Sequence, residues 1–319
     1  MRDRIRRAEA AASGIETSLP ELLGMREAAQ GLRLAPVRGA RAPVVGPHRS
    51  AYRGRGIDFD EVRAYQPGDD VRTIDWRVTA RTGCLYSKVF HEERERPVWL
   101  LADLGASMRF GSRARFKSVA AARATALIAW VSLLEGDRVG AVVRSPTSLW
   151  ERDPRPAEGP LFEILRTVVR DSRTVPDGEG PSLASALLRL RARLRAGSRV
   201  FLLSDFYALD AALERGLAEI AGRAELTCVS VYDALEAHAP PAARYRASDG
   251  SALRSFSTRG PRARELYERA FAARRERLRN LCRRHRADCV ELRVDEEPVQ
   301  ALAHVLQARR GASQASRAA

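Results

Sequence analysis

Aromatic residues are scarce in this chain, at 6% of its 319 positions, and lysine is almost missing. Only Lys88 and Lys117 occur, so the 55 basic residues are nearly all arginine and set a formal net charge of +15. Cysteine is confined to Cys84, Cys228, Cys282 and Cys289, with no framework spacing, so reduced thiols are expected. The most apolar stretch, Val119 to Leu134, falls short of a membrane span and carries Arg123, Thr125 and Ser132. The N-terminal run MRDRIRRAEAAASGIE has no apolar h-region, so no export signal is expected and the protein reads as cytoplasmic. Five scattered histidines offer no Ser/His/Asp triad. What is present is a hydrophobic fraction of 45%, enough for a core and too much for general disorder. A basic balance ordinarily points to nucleic acid or an anionic membrane surface. Here arginine occurs in every segment beside abundant alanine, the pattern of a GC-rich coding bias rather than of one basic face. Nucleic acid is therefore not the expected partner. An arginine-rich anion-binding protein acting on nucleic acid or a membrane surface is the rival class, with affinity that falls steeply with salt.

The pattern divides the chain into a helical segment and Pro/Gly/Arg linker over 1–49, a small β-rich region over 50–96, a large domain over 97–310 and a polar tail over 311–319. From Pro97 the character changes. Pro97-Val-Trp-Leu-Leu-Ala-Asp103 and Val200-Phe-Leu-Leu-Ser204 are continuous apolar runs, as expected for strands covered on both faces. Helical patterns alternate with them: Ala114 to Leu134, Leu161 to Val169, Leu183 to Leu194, Leu209 to Ala221, Pro261 to Arg286 and Pro298 to Ala308. Such alternation predicts an α/β fold with a doubly wound, mainly parallel sheet, Rossmann-like in its layering. Sites in such sheets form at the carboxyl ends of strands, where Asp103 and Asp205 fall.

Asp103-Leu-Gly105-Ala-Ser107 places oxygens at a strand end where a hard divalent cation could gather them, with Asp205 as a further carboxylate. The alternative is that these aspartates cap the following segments by accepting backbone N–H groups. The stretch Asp69 to Arg81 is dense in opposite charges. Without a histidine or nucleophile it reads as an Arg–carboxylate network, with Ile74 and Trp76 packed beneath it. Gly111-Ser-Arg-Ala-Arg-Phe116-Lys117-Ser118 resembles a phosphate loop, but Phe116 stands where glycine is needed. Cys282, His285 and Cys289 have loosely zinc-like spacing without a fourth ligand, so buried thiols are expected.

Beyond these local patterns, the run from Gly56 through Tyr65-Gln-Pro67-Gly68-Asp69-Asp70-Val-Arg72-Thr-Ile74-Asp75-Trp76 to Ala80-Arg81 is long and specific. Together with Glu93-Arg94, Asp103-Leu-Gly-Ala-Ser107-Met108, Lys117, Gly136-Asp137-Arg138-Val-Gly140 and Leu203-Ser204-Asp205-Phe206, it resembles the bacterial family catalogued as domain of unknown function fifty-eight. The resemblance implies a von Willebrand factor type A-like fold with a metal-ion-dependent adhesion site. It also implies an adaptor role beside MoxR-type AAA+ ATPases and other type A domain proteins, without catalysis. That site reads Asp-x-Ser-x-Ser, then a later Thr, then an Asp. Asp103 matches the first Asp, Ser107 the second Ser and Asp205 the last Asp; Gly105 stands at the first Ser, and Pro181 or Ser182 at the Thr, with Pro181 the better alignment. The expectation is a degenerate site for Mg²⁺ or Mn²⁺, with Gly68, Asp69, Arg72, Asp75, Trp76, Arg81, Glu93 and Arg94 as a partner-facing or structural motif.

Overall fold

A computed structural model describes residues 14–35, 57–65, 74–92, 95–175, 180–248 and 253–308. It divides into two compact units, one comprising residues up to 38 and from 96 onward, the other residues 39–95. In chain order, helix α1 (Leu19–Ala29) and strand β1 (Leu32–Leu34) precede the second unit's β2 (Ile57–Ala64), α2 (Trp76–Thr82) and β3 (Tyr86–Glu92). The main unit continues with β4 (Pro97–Asp103), α3 (Lys117–Leu134), β5 (Arg138–Arg144), β6 (Leu149–Arg155), α4 (Glu158–Ser172), α5 (Leu183–Arg193) and β7 (Arg199–Ser204). Then come α6 (Ala211–Ala221), β8 (Glu225–Tyr232), the single turn α7 (Ala234–Ala237), β9 (Arg244–Ser248) and β10 (Leu253–Ser257). Helix α8 (Pro261–Arg284), β11 (Asp288–Arg293), α9 (Pro298–Ala301) and β12 (Leu306–Ala308) close the series.

Six strands form the central sheet in the order β11-β8-β7-β4-β5-β6. All neighbours are parallel except β6, which runs antiparallel to β5. Alternation along β4 sends Val98, Leu100 and Ala102 to the face covered by α1, α3 and α4, and Trp99 and Leu101 to the face covered by α5, α6 and α8. A strand covered on both sides has no polar positions to spare, which is why β4 and β7 read as unbroken apolar runs. Each fully buried Leu or Val of these runs contributes about 1.5–3 kcal/mol relative to exposure.

The interior of α3 corrects the sequence argument about its length. With 18 residues it is long and apolar enough to cross a membrane; 83% of it is buried within the fold, and that packing accounts for its composition. Of the helix expected over the first 35 residues, the described ones show α1 and, before it, helical residues 14–15. Helix α1 packs on α3, and β1 behind it pairs with β12, so the helix expected to run to Ala308 ends at Ala301. Strand β6 carries no apolar signal in Glu151-Arg152-Asp153-Pro154 because it is a sheet edge, where proline is tolerated. Its bulge also explains Gly140 in β5: a Cβ there would lie 2.6 Å from Pro154 N and 2.7 Å from Arg152 O.

At the amino ends of the strands, Asp137 Oδ1 accepts the Arg96 N–H at 2.9 Å. Burial pushes this carboxyl up from 3.8 to about 6, with Glu135 adding to the rise, against that hydrogen bond and the charges of Arg96 and Arg199. The folded state thus holds the proton more tightly than the unfolded chain, so stability falls as pH rises from about 4 to about 6 and stays reduced above. Asp137→Asn keeps the acceptor and removes the buried charge. At pH 7.5 it is expected to raise unfolding stability by about 2–3 kcal/mol, and near pH 4 by almost nothing. Urea unfolding at the two pH values reads the difference; equal curves at pH 7.5 would show that the carboxylate is not strained by burial.

Candidate functional site at the carboxyl edge of the sheet

Parallel pairing sets Ala102 beside Leu203, so Asp103 and Asp205 leave the sheet at one edge. The chain passes from β4 to β5 on one side, while β7 lies on the other. This reversal of strand order is where open α/β sheets form their crevices.

Both aspartates are buried, and both are occupied. Asp103 Oδ2 accepts from Ser204 Oγ at 2.6 Å, while its Oδ1 accepts from Gly105 N at 3.0 Å and from Arg144 Nη1 at 2.5 Å. Arg144 ends β5 directly beside Asp103, and its Nε donates to the Pro181 carbonyl at 2.6 Å. Asp205 accepts from Tyr207 N at 3.0 Å and from Lys117 Nζ at 2.8 Å. Lys117 Nζ also lies 2.8 Å from Glu236 Oε1. Glu236 in turn accepts Asp233 N at 3.0 Å in a capping box, and Asp233 accepts Ser112 N at 2.8 Å and Ser112 Oγ at 2.6 Å. The loop that resembled a phosphate cradle therefore closes on its own protein's carboxylate. Between the strands and this network, Phe206 turns the chain at φ 49°, a left-handed conformation uncommon for an aromatic residue, with its N–H held by Ser204 Oγ at 3.1 Å.

These residues do not fit a divalent cation. The expected ligands Asp103 and Asp205 already have Arg144 and Lys117 as countercharges, and Ser107 sits half-buried in the short turn Ala106–Met108, lining the open space beyond. Among the described residues no group of three or more His, Cys, Asp or Glu side chains could hold a metal. Sequence reasoning included Lys117 in the family pattern without a role and missed Arg144 altogether.

Beside the locked network lies an open cleft of about 930 Å³. Phe110, Tyr207 and Phe271 supply aromatic walls, and Arg109, Lys117 and Arg274 supply positive charge. Arg274 stacks 5.1 Å over the exposed Tyr207 ring and 5.3 Å over Phe271. Arg109 is anchored by the carbonyls of Ser172 and Thr174, at 3.2 and 3.4 Å.

The family described as Protein of unknown function DUF58 matches residues 61–277, most of both units. This chain belongs to the DUF58 family. Uncharacterized proteins of Mycobacterium bovis and Mycobacterium tuberculosis are 30% identical to it over 267 residues, which is 83% of this chain and 83% of theirs. Among solved structures, the conserved hypothetical protein BatB from Bacteroides thetaiotaomicron covers 65% of this chain and 94% of its own at 13% identity and a TM-score of 0.37. An aerotolerance-related membrane protein from Bacteroides fragilis covers 65% and 95% at 12% identity and a TM-score of 0.39.

Within the DUF58 match, Gly68, Asp69, Arg72, Glu93 and Arg94 lie outside the described residues. Asp75 caps α2, accepting Arg77 N at 3.0 Å and Val78 N at 3.1 Å, and Arg81 is exposed in its last turn. Ile74 is buried as expected. Trp76, expected beneath the charges, is instead 63% exposed, because it opens the helix that Asp75 caps. Of the thiols expected to be buried, Cys282 is buried and Cys289 half-buried; Cys228, directly beside Cys289 across β8 and β11, is buried as well. Hydrogen bonding among them and burial push the Cys282 and Cys289 thiols well above the ordinary range, so neither is a ready nucleophile.

Proposed function

We propose that this protein is a non-enzymatic interaction module of von Willebrand factor type A character that docks a partner at the carboxyl edge of its sheet. The observation that carries this reading is the contrast between two adjacent features. The carboxylates of Asp103 and Asp205 at this edge are tied into buried ion pairs and turn-closing bonds. The neighbouring cleft is open, aromatic and basic. A partner loop bearing one acidic and one apolar side chain suits it: the carboxylate meets Arg109 and Arg274, and the apolar group lies against Phe110 and Tyr207. Arginine held over an aromatic face presents its donors outward in a fixed plane, which favours bidentate capture of a carboxylate.

The sequence resemblance makes a MoxR-type AAA+ ATPase the partner to test, with other type A domain proteins beside it. An ATP-driven partner places the interaction in the cytoplasm. Tagged protein is expected to enrich such an ATPase from its own cells, and Tyr207→Ala with Arg274→Glu to cut recovery about tenfold, the effect of losing ~1.4 kcal/mol. Tyr207 is exposed and Arg274 half-buried, so a melting curve of the variant is read beside the recovery to show that it is folded. Wild-type eluates without any AAA+ ATPase above control would sink the partner assignment; unchanged recovery by the double variant would move the docking surface elsewhere.

A further inference from the structure

We propose that Arg144 is the resident cation of this edge, a guanidinium built into the chain where the sequence resemblance would put a divalent ion. Two hydrogen bonds and one steric observation converge on it. Its Nη1 meets Asp103 Oδ1 at 2.5 Å, its Nε meets the Pro181 carbonyl at 2.6 Å, and a Cβ added to Gly105 would lie 1.9 Å from Nη1. Those three positions are the ones aligned with the first carboxylate, the later-loop hydroxyl and the first serine of an adhesion site. A serine Cβ at 105 would clash with the guanidinium in this position unless the Arg144 side chain shifted, and the chain has glycine. A shift of the side chain would give up its hydrogen bonds to Asp103, at the end of β4, and to the Pro181 carbonyl.

The chemistry explains why arginine suits the task. A divalent ion joins a strand-end carboxylate to oxygens on other loops; a planar guanidinium does the same with directed N–H donors and keeps its charge at any physiological pH. Arg144 reaches Asp103 from the directly paired position on β5, so the bridge is set by strand register rather than by a flexible loop. A divalent ion approaching Asp103 would have to displace this charge or sit against it. The edge is therefore preorganised without metal, a conclusion that stands whether or not the cleft binds the partner proposed above.

The test uses Mn²⁺ alone on the purified full chain, read by loss of the free-ion EPR signal and by melting temperature. Wild type is expected to show no saturable Mn²⁺ site up to about 1 mM, a generous ceiling for weak oxygen sites, and no melting shift with Mn²⁺ or EDTA. Arg144→Ala combined with Gly105→Ser is expected to bind Mn²⁺ at least about tenfold more tightly than wild type, with the gain abolished by adding Asp103→Asn. Arg144→Lys, which keeps a charge beside Asp103, is expected to stay as indifferent to Mn²⁺ as wild type. One equivalent of Mn²⁺ bound by wild type and lost in Asp103→Asn would overturn the proposal, as would a folded double variant with no gain in affinity. Should the double variant fail to fold, Arg144→Gln takes its place: it is expected to bind Mn²⁺ more tightly than wild type, and no gain would overturn the proposal.

Discussion

Lys117→Met is expected to cost about 3–5 kcal/mol of unfolding free energy, the scale for breaking a buried ion pair by removing one partner. Lys117 Nζ lies 2.8 Å from both Asp205 and Glu236, and the three side chains are 2, 4 and 15% exposed. Methionine preserves the length and apolar contacts of the stem, so the loss isolates the charge. Without it, two carboxylates face one another with no cation between them. Adding Asp205→Asn should recover part of the loss, because an amide can sit there without a countercharge. Lys117→Arg is not expected to rescue: three donors on one small ammonium fit between two carboxylates, where a planar fork does not. Urea midpoints at fixed slope give the values. A loss under about 1 kcal/mol would mean that solvent screens the triad, as it does for surface pairs.

Much of the scaffold was legible because buried parallel strands leave a simple trace. The runs ending at Asp103 and Ser204 could hardly be anything else, and two strands ending in acid placed both carboxylates on one edge. What neutralises them was not legible. Asp103 is answered by Arg144, whose strand gives no hint that its last side chain turns back over Gly105; among 55 basic residues one arginine carries no local mark. Lys117 had a faint signal as one of two lysines at the start of an otherwise apolar helix. Gly105 and Pro181 looked like lost ligands, whereas both belong to the arginine bridge, one by leaving space and one by offering a carbonyl. Edge strand β6 and exposed Trp76 failed for a shared reason: apolar content tracks burial, and at an edge or a helix start burial is decided by the chain's neighbours.

Trp130→Ala is the other large effect, expected to cost about 3–5 kcal/mol, as for truncation of a buried aromatic side chain. Trp130 is 1% exposed toward the carboxyl end of α3, and it does more than fill space. Its Nε1 donates to the Leu22 carbonyl at 3.1 Å, the Arg26 guanidinium stands 5.2 Å over its ring, and Phe162 meets its edge at 6.1 Å. Two of these partners are on α1 and the third is on α4, so one indole fastens the N-terminal helix and its neighbour to the same core helix. Alanine opens a cavity there and frees α1, which retains Leu22 and Ala29 as fully buried contacts and the tether from Leu34 N to Glu135 at 2.8 Å. Faster amide exchange should therefore emerge over 19–29 before the central strands are affected, because local opening draws on the least-held element first. Trp130→Phe separates the two contributions: it keeps most of the ring and loses the N–H, for an expected cost of about 1–2 kcal/mol. Equal losses in the two variants would assign the stability to the single hydrogen bond, and unchanged exchange over 19–29 would show that α1 is held by its other contacts.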